Sequence, residues 1–171
     1  MNDLGTTTEQ STVRLERLLP GPIERVWAYL TESDKRATWF AAGTFDLRVG
    51  GTANLHFDHS CISSERTPDE YKDKKSDWVG KITRLEPPRL LSYTFAPAGP
   101  ESEVTFELEP RGKDVLLVIT HRRVVDRKTR VGVSAGWDAH VGILADRLNG
   151  VEPRPFWTTH AKLKSEYEAR L

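Results

Sequence analysis

This sequence predicts an α+β fold: a curved antiparallel sheet of six to seven strands wrapped around a long C-terminal helix, with two short helices after the first strand. Short segments of alternating polar and apolar residues, separated by proline and glycine breakers, predict the sheet. One long segment near the end of the chain has helical periodicity instead. The 171 residues suffice for a single domain with a sizeable core.

The first strand and the two short helices lie near the N-terminus. Residues 12–19 alternate in polarity, and Pro20-Gly21-Pro22 ends this strand. Pro22 is well placed to open a helix, whose apolar stripe is formed by Ile23, Val26, Trp27 and Leu30. A second short helix is predicted at about residues 33–40. Residues 1–11 are polar and rich in threonine, so we predict a disordered tail before a single domain at residues 12–171.

The middle of the chain has the pattern of a meander of strands. Residues 45–49 and 53–57 alternate around Gly50-Gly51, which predicts a β-hairpin. Residues 59–76 are polar and charged, and we predict a long loop there. Four further strands are predicted at residues 78–85, 90–95, 104–108 and 115–123. The connections between them are short, as is typical of antiparallel neighbours.

The C-terminal part of the chain is predicted to be helical. At about 100° per residue, a narrow apolar wedge is formed by Trp137, Val141, Leu144 and Leu148. Asn149-Gly150 is typical of a helix end. A weaker helical stripe follows at Phe156, His160, Leu163 and Tyr167. Because a sheet of this size curls and needs its apolar face covered, we expect the long helix to cover it and a cavity to lie between them.

Charge and composition exclude several classes of protein. Lys+Arg and Asp+Glu both number 25, so the net charge of zero argues against partners that require a positive field, namely nucleic acid and an anionic membrane. The one cysteine, Cys61, excludes an internal disulfide and fits a reducing compartment. Neither a signal peptide nor an apolar run long enough to span a membrane is present. We therefore predict a cytoplasmic protein.

Several short motifs, taken in their order and spacing, resemble the START-like (SRPBCC) superfamily. They are Pro22-Ile23-Glu24-Arg25-Val26-Trp27, Asp46-Leu47-Arg48-Val49-Gly50-Gly51, Leu85-Glu86-Pro87-Pro88-Arg89-Leu90, Ile119-Thr120-His121, and Gly136-Trp137 at the start of the last long helix. The chain most resembles the branch named after the activator of the heat-shock-protein-90 ATPase. The resemblance covers about residues 12–171.

This resemblance implies the helix-grip fold with an internal hydrophobic cavity. Members of the superfamily bind lipids, sterols, hormones and polyketides, and a minority catalyse cyclisation, dehydration or hydrolysis. The eukaryotic activator has a separate N-terminal domain that engages the chaperone, and the 171 residues of this chain leave no room for one.

The predicted ligand-binding residues face the inner side of the sheet or lie on the helices that cover it. They are Trp39, Phe57, Trp78, Ile82, Tyr93, Phe106, His121, Trp137 and His140. Phe95, Leu117 and Ile119 share the inward positions of the strands, and Val141 and Leu144 face them from the long helix. An ordinary core would have the same apolar periodicity, so that interpretation stays open.

Two histidines are candidates for orienting a ligand or moving a proton. Alternation places His121 on the inner side, and His140 lies at the edge of the helical wedge. Both could equally be boundary residues with satisfied hydrogen bonds. We predict a protein that binds a small hydrophobic ligand in the cavity. One alternative is a small cavity enzyme, similar to a cyclase, dehydratase or hydrolase, that uses His121, His140 or Tyr93. Another is a chaperone cofactor or stress-response regulator related to activators of the heat-shock-protein-90 ATPase.

Other candidate motifs point to no catalytic residue, no metal and no cofactor. Gly132-Val133-Ser134-Ala135-Gly136 matches the nucleophile-elbow pattern but lacks a preceding strand, so Ser134 is predicted to lie at a helix start. The group His56, Asp58, His59 and Cys61 lacks the spacing of a structural zinc site.

Leu116 and Val118 are out of phase with the inner face and should point outward. We expect either the C-terminal segment around Phe156 and Trp157 or a second copy of the chain, in a homodimer, to cover them.

Overall fold

The computed structural model describes residues 5–9, 11–71 and 76–171. Within these residues, one antiparallel sheet contains β1 (Thr6–Glu9), β2 (Thr12–Pro20), β3 (Thr52–Phe57), β4 (Ser76–Glu86), β5 (Leu90–Thr94), β6 (Glu103–Arg111) and β7 (Asp114–Arg122). The strand order is β1-β2-β7-β6-β5-β4-β3. The helices are α1 (Ile23–Thr31), α2 (Ser33–Arg36), α3 (Arg127–Leu148) and α4 (Phe156–Arg170). Short 3-10 turns cover His59–Cys61, Asp69–Tyr71 and Ala96–Ala98.

Alternation along the central strands decides which side chains face α3. In β7, Leu117, Ile119 and His121 are buried, whereas Leu116 and Val118, which alternate with them, are only half-buried. Phe106 pairs with Ile119 across the β6–β7 ladder, so the inner face continues from strand to strand. The core therefore lies between the concave side of the sheet and the helix α3, which confirms the predicted fold class.

Helix α3 begins earlier than Gly136-Trp137, where the motif placed its opening. Its N-cap is Asp126, whose carboxylate accepts a hydrogen bond from the Thr129 backbone N–H. It ends at Leu148, with Asn149 as the C-cap and Gly150 following at a φ of 69°, as Asn149-Gly150 predicted. Ser134 consequently lies in the interior of the helix, and its predicted place at a helix start is wrong. Since β7 is antiparallel to its neighbours and α3 begins well before Ser134, no nucleophile elbow is formed.

A buried arginine organises the connection that follows α1 and α2. The guanidinium of Arg36 donates to the backbone carbonyls of Leu30, Thr31, Ala41 and Gly43. Its Cζ also lies 3.7 Å from the centroid of the Phe45 ring. Burial lowers the pKa of Arg36 to about 10. This value is still well above neutral pH, so the guanidinium remains charged. These contacts hold the chain that carries Trp39 and Phe40 against the core.

Two predictions for single segments need correction. Residues 45–49 do not form the first strand of a hairpin, because Phe45 makes only an isolated bridge to Ala53. The backbone then turns locally, with Arg48 N–H donating to the Asp46 carbonyl. Residues 6–9 form β1, paired with β2, where a disordered tail was expected. Residues 1–4 and 10 of that predicted tail lie outside the described residues.

Helix α4 packs against α3, and the segment after β3 docks onto its N-terminus. The Glu65 carboxylate accepts hydrogen bonds from the backbone N–H and the hydroxyl of Thr158. The Tyr71 ring stacks on Trp157 with a centroid distance of 4.7 Å. Phe156 and Trp157 thus lie beside His59, on the helical side of the molecule, and do not cover Leu116 and Val118.

No helix in the described part of the chain combines the length and the hydropathy needed to cross a bilayer.

Candidate ligand cavity

A cavity of about 260 Å³ lies between the sheet and the N-terminal half of α3. Its lining side chains are mostly aromatic or apolar, with two glycines of α3 among them. The residues that line it are Phe40, Phe57, His59, Ser76, Trp78, Phe95, Gly132, Val133, Gly136, Trp137 and His140. This pocket lies at the end of the sheet where β3, β4 and the β5–β6 connection meet, and it is open to solvent on one side, where Trp78 is 39% exposed.

The aromatic wall is built from rings that contact one another. The ring centroid of Phe40 lies 5.0 Å from that of Phe57 and 4.9 Å from that of Trp137. Phe57 and Phe95 meet edge-on at 6.3 Å. Such contacts add to the free energy gained by burial and leave little freedom for the rings to rotate. The wall is thus largely preformed.

A chain of hydrogen bonds fixes Trp137 at the edge of the cavity. The indole Nε1–H of Trp137 donates to Nδ1 of His121 over 3.0 Å. Nε2 of His121 then carries the proton and donates to Ser102 Oγ over 3.2 Å, and the Ser102 hydroxyl donates to the Phe95 carbonyl over 2.5 Å. Burial lowers the pKa of His121 to about 3, so the imidazole is neutral. His121 therefore positions Trp137 and is not free for chemistry.

His140 is the buried polar group of the cavity wall. Its Nδ1 lies 2.8 Å from the Trp39 carbonyl oxygen. Burial, helped by the neighbouring His59 and opposed by the hydrogen bond to Trp39, lowers the pKa of His140 to about 3. The imidazole ring lies 5.1 Å from Phe40 and 4.8 Å from Phe156, measured between centroids. A neutral, sterically confined imidazole thus borders the cavity.

A second imidazole, that of His59, lies next to His140. The two ring centroids are 5.7 Å apart, and His59 also contacts Phe156 and Trp157. Burial and the nearby His160 lower the pKa of His59. The sequence indicated His59 only as a weak metal candidate in a loop. Among the residues that the structure describes, no three His, Cys, Asp or Glu side chains are grouped to hold a metal ion.

The predicted ligand-binding residues divide into two groups. Four line the cavity: Phe57, Trp78, Trp137 and His140. The remaining five are placed in the core or beside it and are not among the lining residues: Trp39, Ile82, Tyr93, Phe106 and His121. All five are buried under other side chains; Tyr93, for example, contacts Phe45 and Phe106. They do not border this cavity, because facing inward does not by itself place a side chain beside open space, and their part in ligand binding stays a prediction.

The grouping of His121, His140 and Tyr93 that an enzyme was expected to use is not formed. Of the three, only His140 lines the cavity. Both nitrogens of His121 take part in hydrogen bonds to Trp137 and Ser102. Burial raises the pKa of Tyr93, so its phenol keeps its proton. These groups therefore share no reacting position.

Two glycines of the G-x-S-x-G pattern form part of the cavity wall. Gly132 and Gly136 lie one helical turn apart and both line the cavity. Where a Cβ would lie at either position, no heavy atom of the described residues comes within 4 Å, apart from the adjoining backbone of α3 itself. The sequence did contain a signal for this part of the cavity. Two glycines at i and i+4 in a helix leave one face without side chains over a full turn.

Comparison with known proteins assigns the chain to a family. The family model described as activator of Hsp90 ATPase homolog 1-like protein matches residues 20–149. The chain belongs to this family. The family lies within the START-like superfamily, as the motifs indicated. Proteins of this family often bind small hydrophobic ligands. None of the curated protein sequences compared with the chain matches it significantly.

The solved structures of three other proteins have the same architecture. The protein encoded by gene BPP1335 of Bordetella parapertussis, determined by solution NMR, is 45% identical, with a TM-score of 0.83 over 98% of this chain and 90% of that one. CalU16 of Micromonospora echinospora is 23% identical, with a TM-score of 0.66 over 92% and 86% of the two chains. DynU16, from the dynemicin biosynthetic locus, is 21% identical, with a TM-score of 0.64 over 84% of this chain and 49% of that one. The last two establish the fold alone.

Proposed function

We propose that the protein binds a small, flat, largely apolar molecule in the cavity between the sheet and α3. The observation that carries this proposal is the cavity itself: an aromatic-lined space of about 260 Å³ in which two glycines of α3 leave room. Unlike an ordinary surface depression, this pocket reaches between the sheet and α3 and is lined almost entirely by aromatic and apolar side chains, as is typical of small-molecule sites. Members of the family often bind small hydrophobic ligands, which supports the same function.

The volume of the cavity limits the size of the ligand. A cavity of about 150 Å³ accommodates benzene, whereas pockets for drug-sized ligands measure roughly 300–1,000 Å³. The 260 Å³ observed here lies between these values. We therefore infer a ligand of about one to two fused aromatic rings.

The chemistry of the wall limits the charge of the ligand. Among the described residues that line the cavity, none is Lys, Arg, Asp or Glu, and His140 is neutral because it is buried. Moving a charged group from water into such a site without a partner is costly. The ligand is accordingly a neutral molecule with most of its surface apolar.

Thermal unfolding in the presence of naphthalene tests the proposal. A ligand that binds only the folded state, at ten times its dissociation constant, adds about 1.4 kcal/mol and raises the melting temperature by about 3–6 °C. Gly136→Leu fills the cavity and is expected to abolish this rise.

The matched control is Ala161→Leu, which adds a side chain at an exposed position of α4. It should respond to naphthalene as the wild type does. The proposal is overturned if neither naphthalene nor substituted naphthalenes stabilise the wild type, or if Gly136→Leu keeps the full response.

A further inference from the structure

We propose that His140 Nε2 accepts a hydrogen bond from a neutral hydroxyl group on the bound molecule, so that the ligand belongs to the class of aromatic hydroxyl compounds. This inference rests on the proposed function, since it concerns the same cavity. It adds a polar recognition site to a wall that is otherwise nearly all apolar.

The hydrogen bond to Trp39 decides which nitrogen of His140 carries the proton. A backbone carbonyl oxygen can only accept, so Nδ1, at 2.8 Å from it, must be the donor. A neutral imidazole carries one proton, and Nε2 therefore has a free lone pair. The tautomer follows from the partner alone.

Burial keeps the ring in this neutral form. The ring of His140 faces Phe40, Phe156 and the imidazole of His59, and among the residues that the structure describes no carboxylate forms a hydrogen bond or an ion pair with it. Burial lowers the pKa of His140 to about 3, and the pKa values of His59 and His160 are also lowered by burial. An acceptor lone pair is consequently available throughout the physiological pH range.

The structure also holds the acceptor in place before any ligand arrives. Phe40 and Phe156 contact the imidazole ring, and the Trp39 carbonyl orients it. The Trp39 segment is in turn fixed by Arg36, whose guanidinium donates to the neighbouring Ala41 carbonyl over 2.9 Å. A preorganised acceptor loses little conformational entropy when it binds a donor.

Nε2 of His140 makes no hydrogen bond with any of the described residues. His140 is 6% exposed and lines the cavity, so a donor group in the cavity can approach the imidazole ring. In apolar surroundings an acceptor without a partner favours a ligand that brings a proton and disfavours one that brings a second lone pair or a negative charge. A phenolic O–H on a flat ring system meets this requirement together with the size and polarity of the cavity.

Isothermal titration calorimetry with three naphthalenes of similar size tests the inference. The probes are 2-naphthol, which brings a donor; 2-methoxynaphthalene, which brings only an acceptor; and 2-naphthoate, which is charged. For the wild type we expect 2-naphthol to bind between about twofold and about tenfold more tightly than 2-methoxynaphthalene, which is the range of one neutral hydrogen bond, and 2-naphthoate to bind least tightly.

Two histidine variants identify the acceptor. His140→Phe keeps a ring of similar size but removes both nitrogens, and we expect it to bind 2-naphthol and 2-methoxynaphthalene equally. His59→Phe makes the same substitution at the neighbouring ring of the same cavity and should keep the preference for 2-naphthol. A wild-type measurement covers the case in which His140→Phe does not fold: nitrogen-15 NMR of the histidine rings should show an unprotonated Nε2 on His140 whose resonance shifts when 2-naphthol is added.

The outcomes separate this inference from the proposed function. If neither 2-naphthol nor 2-methoxynaphthalene binds, the proposed function fails and the inference fails with it. If both bind equally to the wild type, or 2-naphthoate binds best, the cavity binds ligands but the inference is overturned. It is also overturned if His59→Phe alone removes the preference, or if the His140 Nε2 resonance does not respond to 2-naphthol.

Discussion

At the scale of single residues, the buried histidines make stability depend on pH. In the folded protein burial lowers the pKa values of His121 and His140 to about 3. In the unfolded chain both return to about 6.5. Below that pH the unfolded state binds more protons than the folded state, so the stabilisation is fully present above about pH 6.5 and is lost as the pH falls toward about 3.

We predict that His140→Phe is less sensitive to acid than the wild type. Between about pH 8 and about pH 5 one histidine held neutral by burial accounts for about 2 kcal/mol of lost unfolding free energy, and the variant should lose that much less. Urea unfolding of both proteins at several pH values measures the difference. Parallel pH curves for the two proteins would contradict a neutral, buried His140.

For these two histidines the position was predictable from the sequence, but the hydrogen-bond partners were not. Alternation correctly placed His121 on the inner side of β7, and the helical wedge placed His140 near its edge. Neither pattern indicated the partners, Trp137 for His121 and the Trp39 carbonyl for His140. Those partners come from distant parts of the chain, and local periodicity carries no information about them.

At the scale of elements, helix α3 contains glycines with opposite surroundings. At Gly136 the position of a Cβ is open and borders the cavity. At Gly142 a Cβ would lie 2.8 Å from Nη1 of Arg154, whose guanidinium donates to both carboxylate oxygens of Asp146 over 2.8 and 2.9 Å. The first glycine borders open space, and the second makes room for the Arg154–Asp146 ion pair.

We predict that Gly136→Ala raises the free energy of unfolding by about 0.5–1 kcal/mol, because alanine is the better helix former and meets no neighbour. Gly142→Ala makes the same change in the same helix but must displace Arg154, so we expect no gain or a loss. Urea unfolding of the two variants provides the measurement. Equal stabilities would show that the two positions do not differ in packing.

Elements were predictable where their period was regular. The strands β4 to β7, the helix α1 and the C-terminal half of α3 lie close to their predicted positions, since apolar faces repeat along them. Residues 45–49 also alternate, yet the Gly50 N–H donates to the Ile82 carbonyl and Arg48 N–H to the nearby Asp46 carbonyl. These hydrogen bonds turn the segment away from a regular ladder, and alternation in five residues was too short to reveal it.

At the scale of the whole molecule, one buried network joins both ends of the chain to the core. Arg17 of β2 donates to Asp138 Oδ1 over 2.6 Å, and the Tyr167 hydroxyl of α4 donates to Asp138 Oδ2 over 2.7 Å. The Gly5 N–H donates to the same hydroxyl over 2.6 Å. Burial, together with the neighbouring Asp138, raises the pKa of Tyr167, so the hydroxyl keeps the proton that it donates.

We predict that Tyr167→Phe lowers the free energy of unfolding by about 1–3 kcal/mol, because it leaves one oxygen of the buried Asp138 and the Gly5 N–H without their partner. The Gly5 amide should also exchange its hydrogen faster. Tyr29→Phe is the matched control, since the Tyr29 hydroxyl makes no hydrogen bond with the described residues, and it should change stability by no more than about 0.5 kcal/mol. Comparable losses in both variants would contradict the role of the network.

Local spacing along the chain was enough to predict the order of the helices and of the strands β2 to β7, the inward face of each regular element, and the family. A period of two or of 3.6 residues is readable without knowing what lies opposite. The folded arrangement, by contrast, places Phe57, Trp78, Trp137 and His140 beside open space and covers Tyr93 and Phe106. A side chain beside a neighbour and one beside a void have the same periodicity, and the difference arises when segments distant in the chain pack together.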